Sequence, residues 1–437
     1  MKFYNRESEL QLLHKIRNQS LSQSQMTVLT GRRRIGKTRL ILENMSGIPF
    51  LYFFISRKEE RLLCEEFIEQ IQTILNIPIY GEIRQFKDLF DLLINHAAQI
   101  PITLVIDEFQ EFFRINPSIY SDIQRIWDLN KDRTSMNLIL SGSVYSLMQQ
   151  IFENMKEPLF GRANERLFIK PFSVDTLSKI LNDHAPGFSP RDLLTFYMLT
   201  GGVPRYVEIF ADKQSLSHES MLNEIFRENS LFLQEGKHLL IEEFGKEYTV
   251  YFSILALIAS SKTSRVEIQS VLQKDIGGYL DLLENEYKII QRVQPIFSKP
   301  GSRMIKYYIS DNFLAFWFRF IYKNLATVEM GNFDYLKKII DRDFPAFSGP
   351  FLEKFFHEKL AATGHYSLIG RYWEKGNLNE IDIVAINEIE KSALIGEVKL
   401  NKKQISLEQL RVKSAHLIQK FAGYKIQYQA FSLEDIA

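Results

Sequence analysis

The chain has 437 residues, with 54 Lys and Arg against 53 Asp and Glu and a formal charge of +1, so any polyanion-binding surface must be a local patch. At about 150 residues per domain this length suggests about three domains. With 45% apolar residues, 24% charged residues, 21 Gly and 13 Pro, collagen-like, linker-dominated and low-complexity designs are excluded. The single cysteine, Cys64, excludes an internal disulfide and a cysteine-based zinc site, and it suits a reducing compartment. No signal-peptide core opens the chain, and no apolar run approaches the ~18 residues of a membrane span. A cytoplasmic location is the expectation.

A short apolar run, Met26-Thr-Val-Leu-Thr30, leads into Gly31-Arg32-Arg33-Arg34-Ile35-Gly36-Lys37-Thr38 and then a helix-forming stretch from Arg39 to Met45. Gly-x4-Gly-Lys-Thr between a strand and a helix is the phosphate-loop pattern. Glycines let main-chain N–H groups curl around phosphate oxygens at a positive helix terminus. Lys37 would neutralise the β- and γ-phosphates of ATP, and Thr38 would ligate Mg2+. Strand-like Phe50–Ile55 and two helical patterns come next. Then Ile102-Thr-Leu-Val-Ile-Asp107-Glu108 forms an apolar strand ending in two acids, roughly 70 residues past Lys37. That spacing fits a parallel sheet with an extra strand between the phosphate loop and the Mg2+ strand. Asp107 would complete the Mg2+ shell, and Glu108 would orient and deprotonate the attacking water.

A third buried strand, Asn137-Leu-Ile-Leu-Ser141-Gly142-Ser143, ends in a polar tip, where Ser141 or Ser143 could sense the γ-phosphate and Ser143 could equally cap a helix. Arg162, in Pro158-Leu-Phe-Gly161-Arg162, either acts on the phosphate of a neighbouring subunit or domain or is a surface arginine. Strand-like Arg166–Pro171 follows.

Together, Gly-Arg-Arg-Arg-Ile-Gly-Lys-Thr, Ile-Asp-Glu-Phe-Gln110, Leu-Ser-Gly-Ser and Phe-Gly-Arg resemble the archaeal-type ATPase family, a P-loop branch close to the AAA and STAND groups. Thr200-Gly-Gly-Val-Pro204-Arg205-Tyr206 is similar to that family's lid motif. By that likeness residues 31–39, including Arg32, Arg33, Arg34, Ile35 and Arg39, form the nucleotide cradle. Pro204 would border the adenine and Arg205 would approach the phosphates. The resemblance covers roughly residues 1–325 and implies an ATPase core over 1–172 and a helical lid over 173–240.

Residues 248–260 read as a buried helix, Ser264 caps a second helix to Leu272, and a third runs from about Asp275 to Glu286. Two alternating strands, 289–297 and 304–309, flank the turn Ser-Lys-Pro-Gly-Ser-Arg. Three helices and a hairpin over 241–325 predict a winged helix. Its would-be reading helix carries Asp275, Asp281, Glu284 and Glu286, which repel phosphates and favour a lid or protein-contact role. Lys299, Arg303 and Lys306 keep a backbone contact available to the hairpin. The aromatic stretch Asp311–Tyr322 reads as core rather than as a base-stacking platform. Two prolines and a glycine in 341–350 predict a linker over 326–350.

The rest reads as helix (351–361), strand (366–373), strand (380–386), strand (393–399), helix (406–421) and strand (425–431). A hairpin of the second and third strands would set Asp382 beside Glu397 and Lys399, which share one strand face. Two carboxylates and an amine can hold Mg2+ and prime water to attack a phosphodiester. The element order with Asp…Glu-x-Lys resembles the PD-(D/E)XK nuclease superfamily, although Ile381 stands where that pattern has proline. By that resemblance Glu353 would add a metal ligand, with Glu358 competing. Seven Lys and Arg against Glu408 between Lys399 and Lys425 suit DNA as partner. The whole predicts an α/β protein: a P-loop sheet with helical lid, a winged helix and a restriction-endonuclease-like domain, using ATP and Mg2+, acting on DNA and able to self-associate. The alternative is a STAND-like ATP-gated switch without nuclease activity.

Overall fold

Strands that are apolar on both faces need cover on both sides, and three such central strands, flanked by two shorter ones, build the first unit of the fold. They are β1 (Gln25–Thr30), β2 (Leu51–Phe54), β3 (Ile102–Asp107), β4 (Met136–Gly142) and β5 (Glu165–Phe168). All pair in parallel, in the order β2-β3-β4-β1-β5. Thus β4 lies between the strand that feeds the phosphate loop and the strand that ends in Asp107. Leu29, Val105 and Ile139 face one side, where Leu13 of α1 (Glu7–Ser20) and Leu40 and Ile41 of α2 (Lys37–Asn44) cover them. Val28, Leu104, Ile106 and Leu138 face the other, against Phe67, Phe90, Ile123 and Trp127.

The computed structural model describes residues 1–244, 248–299 and 301–436. The chain divides into two units, Lys2–Lys170 and Pro171–Ala437. The second opens with helices Val174–His184, Pro190–Thr200, Pro204–Asp212, His218–Ile225 and Leu231–Phe244. Ser173, Ser189 and Ser217 cap three of them with their side chains. Next come α3 (Tyr248–Ala259), α4 (Arg265–Leu272) and α5 (Gly277–Asp281), whose last turn widens to π geometry over Leu282–Glu286. The hairpin β6 (Ile290–Val293) and β7 (Lys306–Ile309) completes a winged-helix arrangement. Its strands are shorter than the alternation suggests, and Pro300 of its turn lies outside the described residues. Phe313, Phe316, Trp317, Phe318 and Phe320 are buried, with the Trp317 indole N–H donating to the Leu233 carbonyl at 3.0 Å. The aromatic stretch is core.

The linker expected over 326–350 does not exist as such. Leu325–Glu329 is a short helix, and a single helix, α6 (Phe333–Ala362), runs through Pro345 and Pro350. An interior proline costs about 3 kcal/mol, but Leu336, Ile340, Phe344, Phe351, Leu352 and Phe355 form one buried stripe, and that packing outweighs the penalty. Beyond it, β8 (Leu368–Tyr372), β9 (Ile381–Asn387), β10 (Ser392–Lys399) and β11 (Lys425–Ser432) form a mixed sheet in the order β11-β10-β9-β8. Strands β10 and β11 are parallel, the other pairs antiparallel. The helix expected over 406–421 is broken into α7 (Leu407–Lys413) and α8 (Ala415–Ile418). At the break, Ser414 shares a hydrogen bond with the Tyr428 hydroxyl at 2.9 Å.

Candidate functional site

The phosphate loop depends on its glycines. Gly36 sits in the left-handed region (φ +87°) and caps α2. A Cβ on Gly31 would fall 2.9 Å from the Ile169 carbonyl oxygen. The loop closes on its own lysine: Lys37 Nζ donates to the carbonyls of Gly31 at 2.7 Å and Arg32 at 3.2 Å, and Lys37 is buried. Ile35 is buried beneath the loop, while Arg33 and Arg39 point to solvent and Arg32 and Arg34 are half-buried. Arg39 lies over the Phe3 ring.

Across the sheet edge, Thr38 Oγ1 donates to Asp107 Oδ2 at 3.1 Å, and the Tyr52 hydroxyl donates to the same oxygen. Burial and the neighbouring Asp107 carboxylate raise the Tyr52 phenol, which stays protonated and able to donate. Glu108 adopts φ +55° and accepts from Ser143 Oγ at 2.7 and 3.0 Å and from Gln110 Nε2. Gly142 makes room for this, since a Cβ there would lie 2.5 Å from Gln110 Oε1. Ser141 is fully buried beside Leu29, and among the described residues neither its hydroxyl nor Gln110 Oε1 has a hydrogen-bond partner. A hydroxyl facing a carboxylate, with an orphaned buried hydroxyl one strand away, is an oxygen donor set that suits Mg2+. The capping alternative for Ser143 does not hold, because the following helix is capped at Val144 without a side-chain bond.

Arg162 is held within its own unit, on Asp128 at 3.3 Å and the Phe160 carbonyl at 2.8 Å. In the other unit, Pro204 starts a helix and Arg205 pairs with Glu208 at 2.8 Å.

The C-terminal sheet brings a second group together. The β9–β10 register runs to Gly396 opposite Ile383, which sets Asp382 across from Glu397. Lys399 Nζ lies 3.7 Å from Asp382 Oδ2 and 3.3 Å from Glu397 Oε1. The Val398 amide donates to Asp382 Oδ2 at 2.8 Å. Both carboxylates are about 10% exposed. Burial pushes the Asp382 carboxyl above its ordinary range, opposed by Lys399 and the Val398 amide. Burial alone would lower Lys399, but Asp382 and Glu397 hold it in the ammonium form.

Glu353 on α6 is pushed up to about 7 by burial and the charges of Asp382 and Glu380, against the Arg371 guanidinium 3.0 Å away. It is thus tied to Arg371, and among the described residues no three His, Cys, Asp or Glu are placed to hold one metal ion. That departs from the expected ligand set of Glu353, Asp382 and Glu397. Glu358 is committed elsewhere, accepting from the Tyr197 hydroxyl at 2.7 Å. The pair Asp382 and Glu397 still fits Mg2+, which takes one or two carboxylates and keeps its waters.

Two residues without a motif complete the site, Arg371 and His357, whose Nε2 donates to the Asp382 carbonyl at 2.8 Å. Burial lowers that imidazole to about 4, keeping it neutral. Lys413, one of the basic run between Lys399 and Lys425, is not a solvated charge: its Nζ lies 3.0 and 3.1 Å from the two oxygens of Glu397. The hairpin is also engaged. Lys306 pairs with Glu380 at 2.8 Å and lies over Trp373, Tyr308 stacks under Arg371, and the Ile296 amide donates to the Arg371 carbonyl at 2.7 Å. Lys306 is therefore not available to a nucleic-acid backbone as expected. Among the described residues, no helix is long and apolar enough to cross a membrane.

Comparison with known proteins agrees with the geometry of the first site. Residues 3–210 match the family described as an ATPase domain predominantly from Archaea, and residues 317–414 match a family of archaeal and bacterial proteins of unknown function. An uncharacterized protein of Methanocaldococcus jannaschii is 32% identical over 411 residues, covering 91% of this chain and 87% of its own. General secretion pathway protein A of Aeromonas hydrophila is 25% identical over 202 residues, 43% of this chain but only 36% of that protein. Among solved structures, a Walker-type ATPase of Pyrococcus abyssi superposes with a TM-score of 0.55 at 18% identity, over 72% of this chain and 96% of that one. The chain is a P-loop ATP-binding protein and belongs to the archaeal-type ATPase family.

Proposed function

We propose that this ATPase hydrolyses ATP with Mg2+ at the site built by Lys37, Thr38, Asp107 and Glu108, and that its nucleotide state governs a C-terminal site that acts on the phosphodiester backbone of DNA. At the first site the main-chain amides of residues 31–38 and the Lys37 ammonium bind the phosphates, Thr38 and Asp107 hold the cation, and Glu108 takes a proton from the attacking water. Mg2+, when bound, supplies Lewis acidity toward the phosphoryl oxygens. Ser141, Arg162, Pro204 and Arg205 remain candidates for sensing the nucleotide.

The observation that carries the second half is the convergence of Asp382, Glu397 and Lys399 on one end of β9 and β10, within 3.3–3.7 Å of a single ammonium. Asp382 and Glu397 would hold Mg2+, and Lys399 would orient the water against the scissile phosphate. The basic run Lys402, Lys403, Arg411, Lys420 and Lys425 supplies the charge to track a strand. Engagement of the hairpin by Glu380, Trp373 and Arg371 supports a protein-contact role for the winged helix, a feature shared with the rival reading of an ATP-gated switch.

The test is Mg2+- or Mn2+-dependent DNA cleavage with and without ATP, comparing the parent with Glu397→Ala. Cleavage lost in the variant supports the site. Equal cleavage by both removes it, and none under any condition leaves the switch.

A further inference from the structure

The four groups at the C-terminal site are already charge-balanced. Asp382 and Glu397 face Lys399 and Lys413, so an incoming divalent cation would bring two positive charges to a neutral cluster. One ammonium must give way. Lys399 is held by two carboxylates from the end of a strand. Lys413 touches Glu397 alone among its described contacts, but it does so with both oxygens, at 3.0 and 3.1 Å. It stands at the last residue of α7, where the helix dipole favours a cation. Its backbone is anchored on either side by buried Leu410 and by Ser414, while its own side chain is 34% exposed. The anchor is rigid and the long arm is free to leave.

We propose that Lys413 is the resident counter-ion of Glu397, occupying the place of the divalent cation and setting the concentration at which that cation enters. The inference rests on the reading of Asp382 and Glu397 as ligands. Binding is then an exchange, one ammonium out for one divalent ion in, and the site resists stray metal until the exchange is favourable.

The experiment titrates Mn2+ into the nucleotide-free full chain carrying Asp107→Asn, which removes the ATPase cation site, and reads bound Mn2+ by electron paramagnetic resonance and calorimetry. Lys413→Met should bind Mn2+ about tenfold or more tightly than the parent, because a like charge close to the ion is gone. Lys413→Gln should do the same, and Lys413→Arg should stay near the parent value. Asp382→Asn should lose the site. Thermal unfolding of each variant separates folding from binding. If Mn2+ binding depends on Asp382 but is unchanged in Lys413→Met and Lys413→Gln, Lys413 is not the counter-ion and the ligand reading stands. If no Mn2+ binds, or binding survives both Asp382→Asn and Glu397→Gln, the ligand reading fails and this inference falls with it.

Discussion

Ser143 Oγ sits 2.7 and 3.0 Å from the two carboxylate oxygens of Glu108, so the acid at the tip of β3 is aimed by a hydroxyl from the end of β4. A hydrogen bond from a neighbouring hydroxyl fixes the direction in which a carboxylate points. Ser143→Ala should therefore cut ATP turnover by about tenfold, a fraction of the roughly 100-fold or more that a positioned general base contributes, and leave nucleotide affinity unchanged. Glu108→Gln should trap ATP with turnover down by about 100-fold or more. Unchanged turnover in Ser143→Ala would mean that the serine only packs there.

Two glycines with similar backbones separate strain from crowding. Gly187 (φ +86°) has nothing within 4 Å of where a Cβ would go, whereas a Cβ on Gly202 (φ +73°) would fall 2.2 Å from the Phe172 carbonyl oxygen. That carbonyl cannot retreat easily, because the Phe172 amide is bonded to the Gly202 carbonyl at 2.8 Å. Gly187→Ala should lose about 1 kcal/mol, from conformation alone. Gly202→Ala should lose about 3 kcal/mol or more, from conformation and overlap together. Denaturant unfolding of the two variants measures the gap, and equal losses would assign both to backbone strain.

Local chemistry made the first site legible. Glycines before Lys37, and acids closing an apolar run at Asp107, are patterns that only a few geometries satisfy, and the parallel sheet sets them at the same edge, on strands either side of β4. Asp382, Glu397 and Lys399 were legible for a similar reason, since a hairpin register is arithmetic once two strands are recognised. What the sequence hid depends on tertiary packing. Pro345 and Pro350 read as a break because propensity is local, and the buried stripe of α6 is not. Arg371 and His357 carry no motif, and their roles follow from a wing and a helix that meet β8 and β9 from distant parts of the chain. Lys413 sat in a basic run, where one residue with a buried partner looks like its solvated neighbours.

Arg371 offers a test of that hidden layer. Its side chain, 15% exposed, is 3.0 Å from Glu353, itself 18% exposed, and its Cζ lies 5.2 Å from the Tyr308 ring centre. Removing one partner of a buried ion pair leaves an uncompensated charge and costs about 3–5 kcal/mol, whereas removing both costs far less. Arg371→Met should destabilise the second unit by that amount, and Arg371→Met with Glu353→Gln should recover most of it. A double variant as unstable as the sum of its parts would show that the two side chains do not interact energetically.

A histidine in the second unit sets a pH dependence. His218 Nδ1 lies 2.7 Å from Thr195 Oγ1, and Nε2 lies 2.8 Å from an Arg191 nitrogen and 3.3 Å from Asp341 Oδ1. The neutral ring serves two of these partners, donating from Nδ1 to Thr195 and accepting from Arg191 at Nε2, while Asp341 Oδ1 accepts from Arg191 at 3.1 Å. Burial first, and then the Arg191 guanidinium, lower the pKa of His218 below its ordinary 6.5, partly opposed by Asp341 and Asp192. A histidine whose folded pKa is depressed lends stability that is complete above the unfolded value, and it is lost as pH falls from about 6.5 through the folded value. His218→Gln cannot titrate, so the gap in stability between parent and variant should be largest at pH 7.5 and smaller at pH 5. Urea unfolding at the two pH values reads that difference directly, and the carboxylates that titrate in both proteins cancel from it. A gap that stays constant would mean that His218 is neutral or charged alike in both states, and that Asp341 fully offsets burial and Arg191.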